Sequence, residues 1–222
     1  MHHIQRKILQ QLMYAPSLNY ARMRPPGVES NHFAYHLDQL VRGKLIVKAE
    51  RSYLLTHKGA AFVDRASHES MHPRLQPHIV TSVYITNGHG QMALYKHHFQ
   101  PYLGLYGPLQ GRMHYPEHIA EAAGRELFEK AGLKGVPLTH RGIVYIHATK
   151  GDAGVSKILA HIFSGTIMHT PQLTALRDGT AVWKDPAELA ANQCMPGFIA
   201  VRELLAHYTD GLFFAEIESA MI

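Results

Sequence analysis

The segment between positions 111 and 133 constrains this chain more than any other part of its sequence. Gly111 is followed by Glu117 and, after seven intervening residues, by the run Arg125-Glu-Leu-Phe-Glu-Lys-Ala-Gly-Leu133. This spacing predicts a helix over about 116–131. Positions 126, 129 and 130 then lie at i, i+3 and i+4, on one helix face. The carboxylates of Glu126 and Glu129 converge there, as binding of a divalent cation would require.

The same segment resembles the signature of the Nudix hydrolases, in which a glycine and a glutamate precede Arg-Glu-U-x-Glu-Glu-x-Gly-U and U is a bulky aliphatic residue. Eight of the nine specified positions match: Gly111, Glu117, Arg125, Glu126, Leu127, Glu129, Gly132 and Leu133. The resemblance extends over about 78–209, with strands predicted at 79–86, 92–96, 142–148 and 157–167. It implies a Nudix-type α/β/α sandwich with a mixed sheet, which would hydrolyse nucleoside diphosphates linked to another group.

The resemblance also assigns roles to individual residues. Glu126 and Glu129 would bind Mg²⁺ or Mn²⁺, which neutralises the pyrophosphate under attack by water. Arg125 and Glu117 would support these ligands, so all four side chains are candidate catalytic residues. Gly111 would belong to the phosphate loop, where the absence of a side chain lets the loop pass close to the helix.

One position departs from the signature, because Lys130 stands where the family has a second metal-binding glutamate. An ammonium group has no lone pair with which to bind a metal ion. We expect Lys130 to take the place of the cation and to pair with Glu126, four residues earlier. Weak metal binding by Glu129 and Glu117, with a later-loop carboxylate such as Asp152, stays open, but efficient catalysis is less expected than the match alone suggests.

The first 66 residues have a different pattern. Helices are predicted at 4–13, 18–23, 31–42 and 57–65, with two short strands, 45–47 and 53–55, before the last helix. Residues 33–46, followed by Tyr53-Leu-Leu-Thr-His-Lys-Gly59, resemble the winged helix-turn-helix regulators of bacteria and archaea. By this resemblance the third helix would read base edges and basic side chains would contact phosphates. Candidate readers are Asn31, His32, Tyr35 and His36, and candidate phosphate contacts are Arg24, Arg42, Lys48 and Arg51. A role in protein contacts alone is the alternative.

The charge distribution favours the DNA-binding interpretation. The chain has a formal charge of +5, yet residues 1–65 hold ten basic and four acidic residues, or +6, and the remainder carries −1. Such a segment suits a polyanion such as duplex DNA. A single cysteine excludes an internal disulfide, and the 18 histidines are expected to be scattered surface or core residues without a metal cluster. No apolar run is long enough to span a membrane, so we expect a cytoplasmic protein.

The sequence therefore predicts an α+β protein with three parts. A mainly helical winged helix (1–66) is joined by a linker (67–77) to a Nudix domain (78–222). One hypothesis is a transcriptional regulator whose Nudix domain binds a nucleotide-type ligand such as ADP-ribose. The other is a metal-dependent Nudix pyrophosphohydrolase with an accessory winged helix. The apolar stretch 198–208, continued by 212–214, is a candidate homodimer surface, and packing on the domain's own sheet is its alternative.

Overall fold

The structure, a computed structural model, describes residues 1–74 and 76–220 and divides the chain into two compact units, Met1–Leu75 and Gln76–Ile222. The division falls inside the segment 67–77 that was predicted to link two domains. Part of that segment packs on the first unit, because Met71 is buried in its core and Ala66 forms a β-bridge with Pro73.

The first unit combines helices with a small antiparallel sheet. Its helices are α1 (His3–Met13), α2 (Tyr20–Met23), α3 (Ser30–Arg42) and α4 (His57–Asp64). Its strands, in the sheet order β1-β3-β2, are β1 (Leu18–Asn19), β2 (Ile46–Ala49) and β3 (Ser52–Leu55). The second predicted helix is shorter than expected, because Leu18 and Asn19 pair with β3 and the Asn19 side chain caps the helix that follows.

Two residues explain how α4 is fixed against the rest of this unit. The Thr56 hydroxyl accepts a hydrogen bond from Gly59 N at 3.0 Å and so caps the helix. A Cβ atom on Gly59 would lie 1.9 Å from the carbonyl oxygen of Leu45. Only glycine therefore permits the observed close approach of α4 to the connection between α3 and β2.

The second unit is built on a nine-stranded mixed sheet with the main order β10-β11-β5-β4-β9-β8-β12. The strands are β4 (His78–Asn87), β5 (Met92–His97), β6 (Tyr106–Gly107), β7 (Leu109–Arg112), β8 (Thr139–Lys150), β9 (Ala153–Ile167), β10 (Ala175–Leu176), β11 (Gly179–Lys184) and β12 (Phe213–Ala220). The helices are α5 (Ile119–Ala131) and α6 (Phe198–His207), with short 3-10 turns at Pro186–Glu188 and Ala191–Gln193. The β4–β9 and β8–β12 pairs are parallel, which makes the sheet mixed.

Side chains on the two faces of this sheet enter two different apolar clusters. Val83 on β4 packs in the cluster that contains Leu127 of α5. Its neighbour Tyr84 packs in the cluster that contains Phe198 of α6. Because successive strand residues point to opposite faces, α5 and α6 cover opposite sides of the sheet, and the predicted α+β fold is confirmed. None of the described helices is long and apolar enough to cross a membrane.

Candidate functional site

The buried carboxylate of Glu126 is the centre of the candidate site. It projects from α5 toward β7 and is 5% exposed. A Cβ atom on Gly111 of β7 would lie 1.9 Å from its Oε1 and 2.1 Å from its Oε2. The absence of a side chain at position 111 therefore lets strand and helix approach around this carboxylate. The strand itself is fixed by pairing with β4 and by a 2.8 Å hydrogen bond from the Ser82 hydroxyl to the Gln110 side chain.

Arg125 connects all three glutamates of the motif. Its Nη1 donates to Glu126 Oε1 at 2.6 Å and to Glu129 Oε2 at 3.1 Å. Its Nε and Nη2 donate to the two oxygens of Glu117 at 3.0 and 2.8 Å. These hydrogen bonds raise the pKa of Arg125, and the bond to Glu117 has the largest effect. Partial burial of the guanidinium opposes the shift without cancelling it. The hydrogen bonds from Arg125, followed by that from the backbone N–H of His114, lower the pKa of Glu117 to about 2.

The predicted helix begins later than expected, at Ile119 rather than near Pro116. Residues 114–117 form a turn instead, in which Glu117 N donates to His114 O and the Glu117 carboxylate accepts from His114 N. The turn places Glu117 beside Arg125, so the three glutamates lie around one guanidinium although they come from different local structures.

The expected pairing of Lys130 with Glu126 is wrong. The Lys130 ammonium lies 3.6 Å from Asp178 Oδ2 and 4.2 Å from the centre of the Tyr95 ring. Its side chain is only 13% exposed. The salt-bridge partner of Glu126 is Arg125. The cation that replaces the expected glutamate is therefore held by Asp178 and the Tyr95 ring, whereas Glu126 pairs with Arg125.

Tyr95, Asp178 and His97 surround Lys130 and were not predicted from the sequence. The Tyr95 hydroxyl donates to Asp178 Oδ1 at 2.8 Å, and burial together with this bond raises the pKa of Tyr95. Partial burial opposes ionisation of Asp178, but the Tyr95 bond and the Lys130 charge lower its pKa overall. His97 is buried, and neither ring nitrogen has a hydrogen-bond partner in the described part of the chain. Burial, aided by the Lys130 charge, lowers its pKa to about 4.

Only long-range strand pairing brings these groups together. Tyr95 and Asp178 are 83 residues apart. They meet because β11 pairs with β5 and places Gly179 opposite His97. No short motif in the sequence marks such a contact.

The motif glutamates do not fit a divalent cation in this arrangement. Lys130 offers no lone pair where a third carboxylate is expected, and Arg125 Nη1 occupies one oxygen each of Glu126 and Glu129. Mg²⁺ requires near-octahedral coordination by oxygen atoms. Within residues 1–74 and 76–220, the group of three His, Cys, Asp or Glu side chains with ligand atoms mutually within 4.8 Å lies in the first unit, not here. Among the described residues, the motif carboxylates therefore do not bring three ligand atoms close enough together to share one Mg²⁺ or Mn²⁺.

The predicted DNA-contacting residues divide into seven exposed residues and one buried residue. The exposed ones are Arg24, Asn31, His32, Tyr35, Arg42, Lys48 and Arg51. Arg42 pairs with Asp38 at 2.8 Å, and both side chains are at least half exposed. The prediction that His36 reads bases is wrong for this conformation, because its side chain is 7% exposed and stacks on His2.

The candidate dimer surface is largely packed within the second unit. Phe198 and Val201 of α6 are buried in the core cluster on one face of the sheet. Leu212 and Phe214, by contrast, are 68% and 69% exposed. Helix α6 therefore packs on its own sheet, and the exposed apolar residues Tyr208, Leu212 and Phe214 remain as candidate contacts.

Residues 76–207 match the NUDIX domain family. The NUDIX domain of Shewanella oneidensis NrtR, solved in complex with ADP ribose, superposes with a TM-score of 0.53 and 11% identity, covering 70% of this chain and 100% of that one. The MutT protein of Bacillus halodurans gives a TM-score of 0.48 and 21% identity, covering 64% and 89%. No curated protein matches the sequence. At these identities, structural likeness indicates the fold alone.

Proposed function

The chain belongs to the Nudix family, and from this premise we propose that it is a DNA-binding transcriptional regulator. In this proposal the second unit binds a nucleoside-diphosphate-type ligand such as ADP-ribose, and the first unit, a winged helix, binds duplex DNA. Ligand binding changes DNA affinity to the extent that the ligand prefers one of two states of the protein. A homodimer would read paired half-sites.

The observation that carries this proposal is the environment of Lys130. Nudix hydrolases generally use divalent metal ions, which neutralise the charge of the substrate's pyrophosphate. Here one expected ligand is an ammonium paired with Asp178, and the two remaining helix carboxylates share Arg125. A Nudix fold with this set of side chains is better suited to binding a nucleotide than to cleaving it.

The choice of ligand class is supported by the likeness to NrtR. Its NUDIX domain is fully covered by the superposition, and it was solved with ADP ribose bound. ADP-ribose is a nucleoside diphosphate linked to a second sugar, so it has the chemistry that the family signature implies. It is therefore the first ligand to test.

The DNA-binding part of the proposal is supported by charge and exposure. The excess of +6 lies in residues 1–65, whereas the rest of the chain carries −1. Asn31, His32 and Tyr35 are exposed near the start of α3, and Arg42 is exposed at its end. A helix with exposed polar side chains and basic flanking residues suits contact with a groove and its phosphates.

The alternative function is a Nudix pyrophosphohydrolase with an accessory winged helix. It is favoured by the presence of Glu117, Glu126 and Glu129 in one cluster. Glu129 is also 52% exposed, so its carboxylate is accessible from solvent. If Arg125 were drawn away by a bound substrate, these oxygens would be free to act.

Calorimetry and product analysis with ADP-ribose distinguish the two functions. We expect the full chain to bind ADP-ribose in EDTA and to hydrolyse it poorly with Mg²⁺. The double variant Lys130→Glu/Asp178→Asn restores a glutamate without placing it beside a second carboxylate. It should increase turnover by about 100-fold or more, the scale of one electrostatic catalytic group. Lys134→Glu, the same charge change four residues later, is the matched control and should increase nothing. Rapid turnover by the unaltered chain that Glu126→Gln abolishes would instead establish the hydrolase.

A salt titration tests the DNA-binding proposal separately. Each phosphate contact contributes about 0.9 to the dependence of log affinity on log salt. Arg42→Ala/Arg51→Ala should therefore weaken binding to selected genomic duplexes and reduce this slope by about two. Arg177→Ala, an exposed arginine of the second unit, is the control. If the chain does not bind duplex DNA, or binds it with an affinity that does not depend on salt, the DNA-binding proposal is contradicted.

A further inference from the structure

Three histidines that are scattered in the sequence lie together in the first unit. His32 and His36 are one turn apart on α3, and His2 precedes α1. Each offers one ring nitrogen, and the three ligand atoms lie within 4.8 Å of one another. Two of these residues come from one helix and the third from the start of another, so the cluster is produced by the packing of α1 against α3.

The distances within the cluster are compatible with one shared metal ion. Nε2 of His32 and Nε2 of His36 are 3.1 Å apart. In a tetrahedral site with zinc–nitrogen bonds of about 2.0 Å, two ligand atoms are separated by roughly 3.3 Å. The His2 ring lies 3.9 Å from the His36 ring, centre to centre. Small rotations of the side chains would therefore direct three nitrogens at one point.

Hydrogen bonding in the cluster identifies Nε2 as the ring nitrogen that His36 directs at the other imidazoles. His36 is 7% exposed, and its Nδ1, which points away from the His32 ring nitrogen, has no hydrogen-bond partner among the described residues. Its Nε2 contacts only the Nε2 of another imidazole. His2 Nδ1 accepts a long, 3.3 Å hydrogen bond from Ile4 N. Ligation through Nε2 would place the His2 proton on Nδ1, so the weak contact with Ile4 N would be lost while Nε2 gains a metal–nitrogen bond.

The chemistry of the donors indicates which cations fit. The cluster consists of imidazoles without a carboxylate, so it suits Zn²⁺, Cu²⁺ or Ni²⁺ and not Mg²⁺ or Ca²⁺. Three protein ligands leave a fourth position for water or another donor. His2 and His32 are exposed, so an ion can reach the site from solvent.

We infer that His2, His32 and His36 form a transition-metal site, with Zn²⁺ as its simplest occupant, that ties the start of α1 to α3. The evidence for this site is the set of contacts described above, and it does not depend on the proposed function. It nevertheless uses His32, one of the candidate DNA-reading residues, so metal binding would change the surface that α3 presents. It would also stabilise the first unit, because the ion binds the folded arrangement and not the separated histidines.

Metal titration of the full chain tests this inference. Co²⁺ serves as an optical probe, with displacement by Zn²⁺ and metal analysis after dialysis giving stoichiometry. We expect one ion per chain, and weakening by about 100-fold or more in His32→Ala and in His2→Ala, since even outer partners of metal ligands contribute 10- to 100-fold. Both positions are exposed, so these variants should fold, which circular dichroism verifies. Zn²⁺ should raise the melting temperature of the first unit by about 5 °C or more at saturating concentration.

Two controls separate this site from other donors. His57→Ala removes an exposed histidine of the same unit, and Glu126→Gln alters the carboxylate cluster of the second unit. Both should retain the ion with unchanged affinity. The inference is overturned if the unaltered chain takes up no Co²⁺ or Zn²⁺ at about 100 μM. It is equally overturned if His32→Ala binds as tightly as the unaltered chain, or if His57→Ala loses as much affinity.

Discussion

His97 should make the stability of the second unit depend on pH in a way that one substitution abolishes. The ring is 7% exposed and lies edge-on to Tyr95, with Lys130 nearby as a further cause of its lowered pKa. Above pH 6.5 the ring is neutral in both folded and unfolded chains. Between pH 6.5 and its folded pKa of about 4, only the unfolded chain takes up a proton. Stability must therefore fall as the pH is lowered through this window.

The magnitude follows from the size of the shift. A change in pKa from 6.5 to about 4, at 1.36 kcal/mol per unit, corresponds to roughly 3 kcal/mol of unfolding free energy lost between pH 7 and pH 4. His97→Leu replaces the titrating ring with an apolar side chain of similar size. Neither ring nitrogen has a partner in the described structure, so this substitution breaks no observed side-chain hydrogen bond.

Denaturant unfolding followed by tryptophan fluorescence measures this difference. Trp183 is the single tryptophan of the chain and lies on β11, so its signal reports on the second unit. From pH 7 to pH 4, the free energy of unfolding should fall by about 3 kcal/mol more in the unaltered chain than in His97→Leu. His89→Gln, at an exposed histidine in the preceding hairpin, should follow the unaltered chain. Parallel curves for the unaltered chain and His97→Leu would refute the reasoning.

Two further predictions concern the first unit. Gly59→Ala should destabilise the first unit by about 2 kcal/mol or more, because the new Cβ atom would lie 1.9 Å from Leu45 O. The helical circular dichroism signal should be lost at a lower temperature in this variant. An unchanged melting curve would contradict the close approach. Lys44 has a φ of +57°, so Lys44→Gly should relieve backbone strain and stabilise the first unit by about 1 kcal/mol. As the control, Lys48→Gly on β2 should destabilise the unit. A lower melting temperature for Lys44→Gly would show that no strain is present.

Local patterns in the sequence were sufficient to predict most secondary structure and the composition of the motif site. The spacing of Glu126 and Glu129 follows from helix geometry alone, and Gly111 proved to lie against the first of these carboxylates. Residues 79–86 were predicted as a strand from their alternating, β-branched side chains, and β4 spans His78–Asn87. These features depend on neighbours within a few turns or strand residues, which a single sequence displays directly.

The contacts that were missed or predicted wrongly depend on distant segments. An i, i+4 rule favoured pairing of Lys130 with Glu126, but Asp178 competes for the ammonium because β11 pairs with β5. Similarly, His36 was placed on the exposed face of α3, yet His2 covers it after α1 packs nearby. Helix periodicity identifies which residues share a face, but it does not identify the segment that will cover that face.

Electron paramagnetic resonance of Mn²⁺ tests most directly the claim that this Nudix fold lacks its usual cation site. At about 100 μM Mn²⁺ and excess protein, the unaltered chain should leave the signal of the free ion nearly undiminished, whereas Lys130→Glu/Asp178→Asn should bind the ion through oxygen donors. His32→Ala is included so that uptake by imidazoles is recognised. Tight binding of Mn²⁺ by the unaltered chain, lost in Glu126→Gln and retained in His32→Ala, would contradict the account.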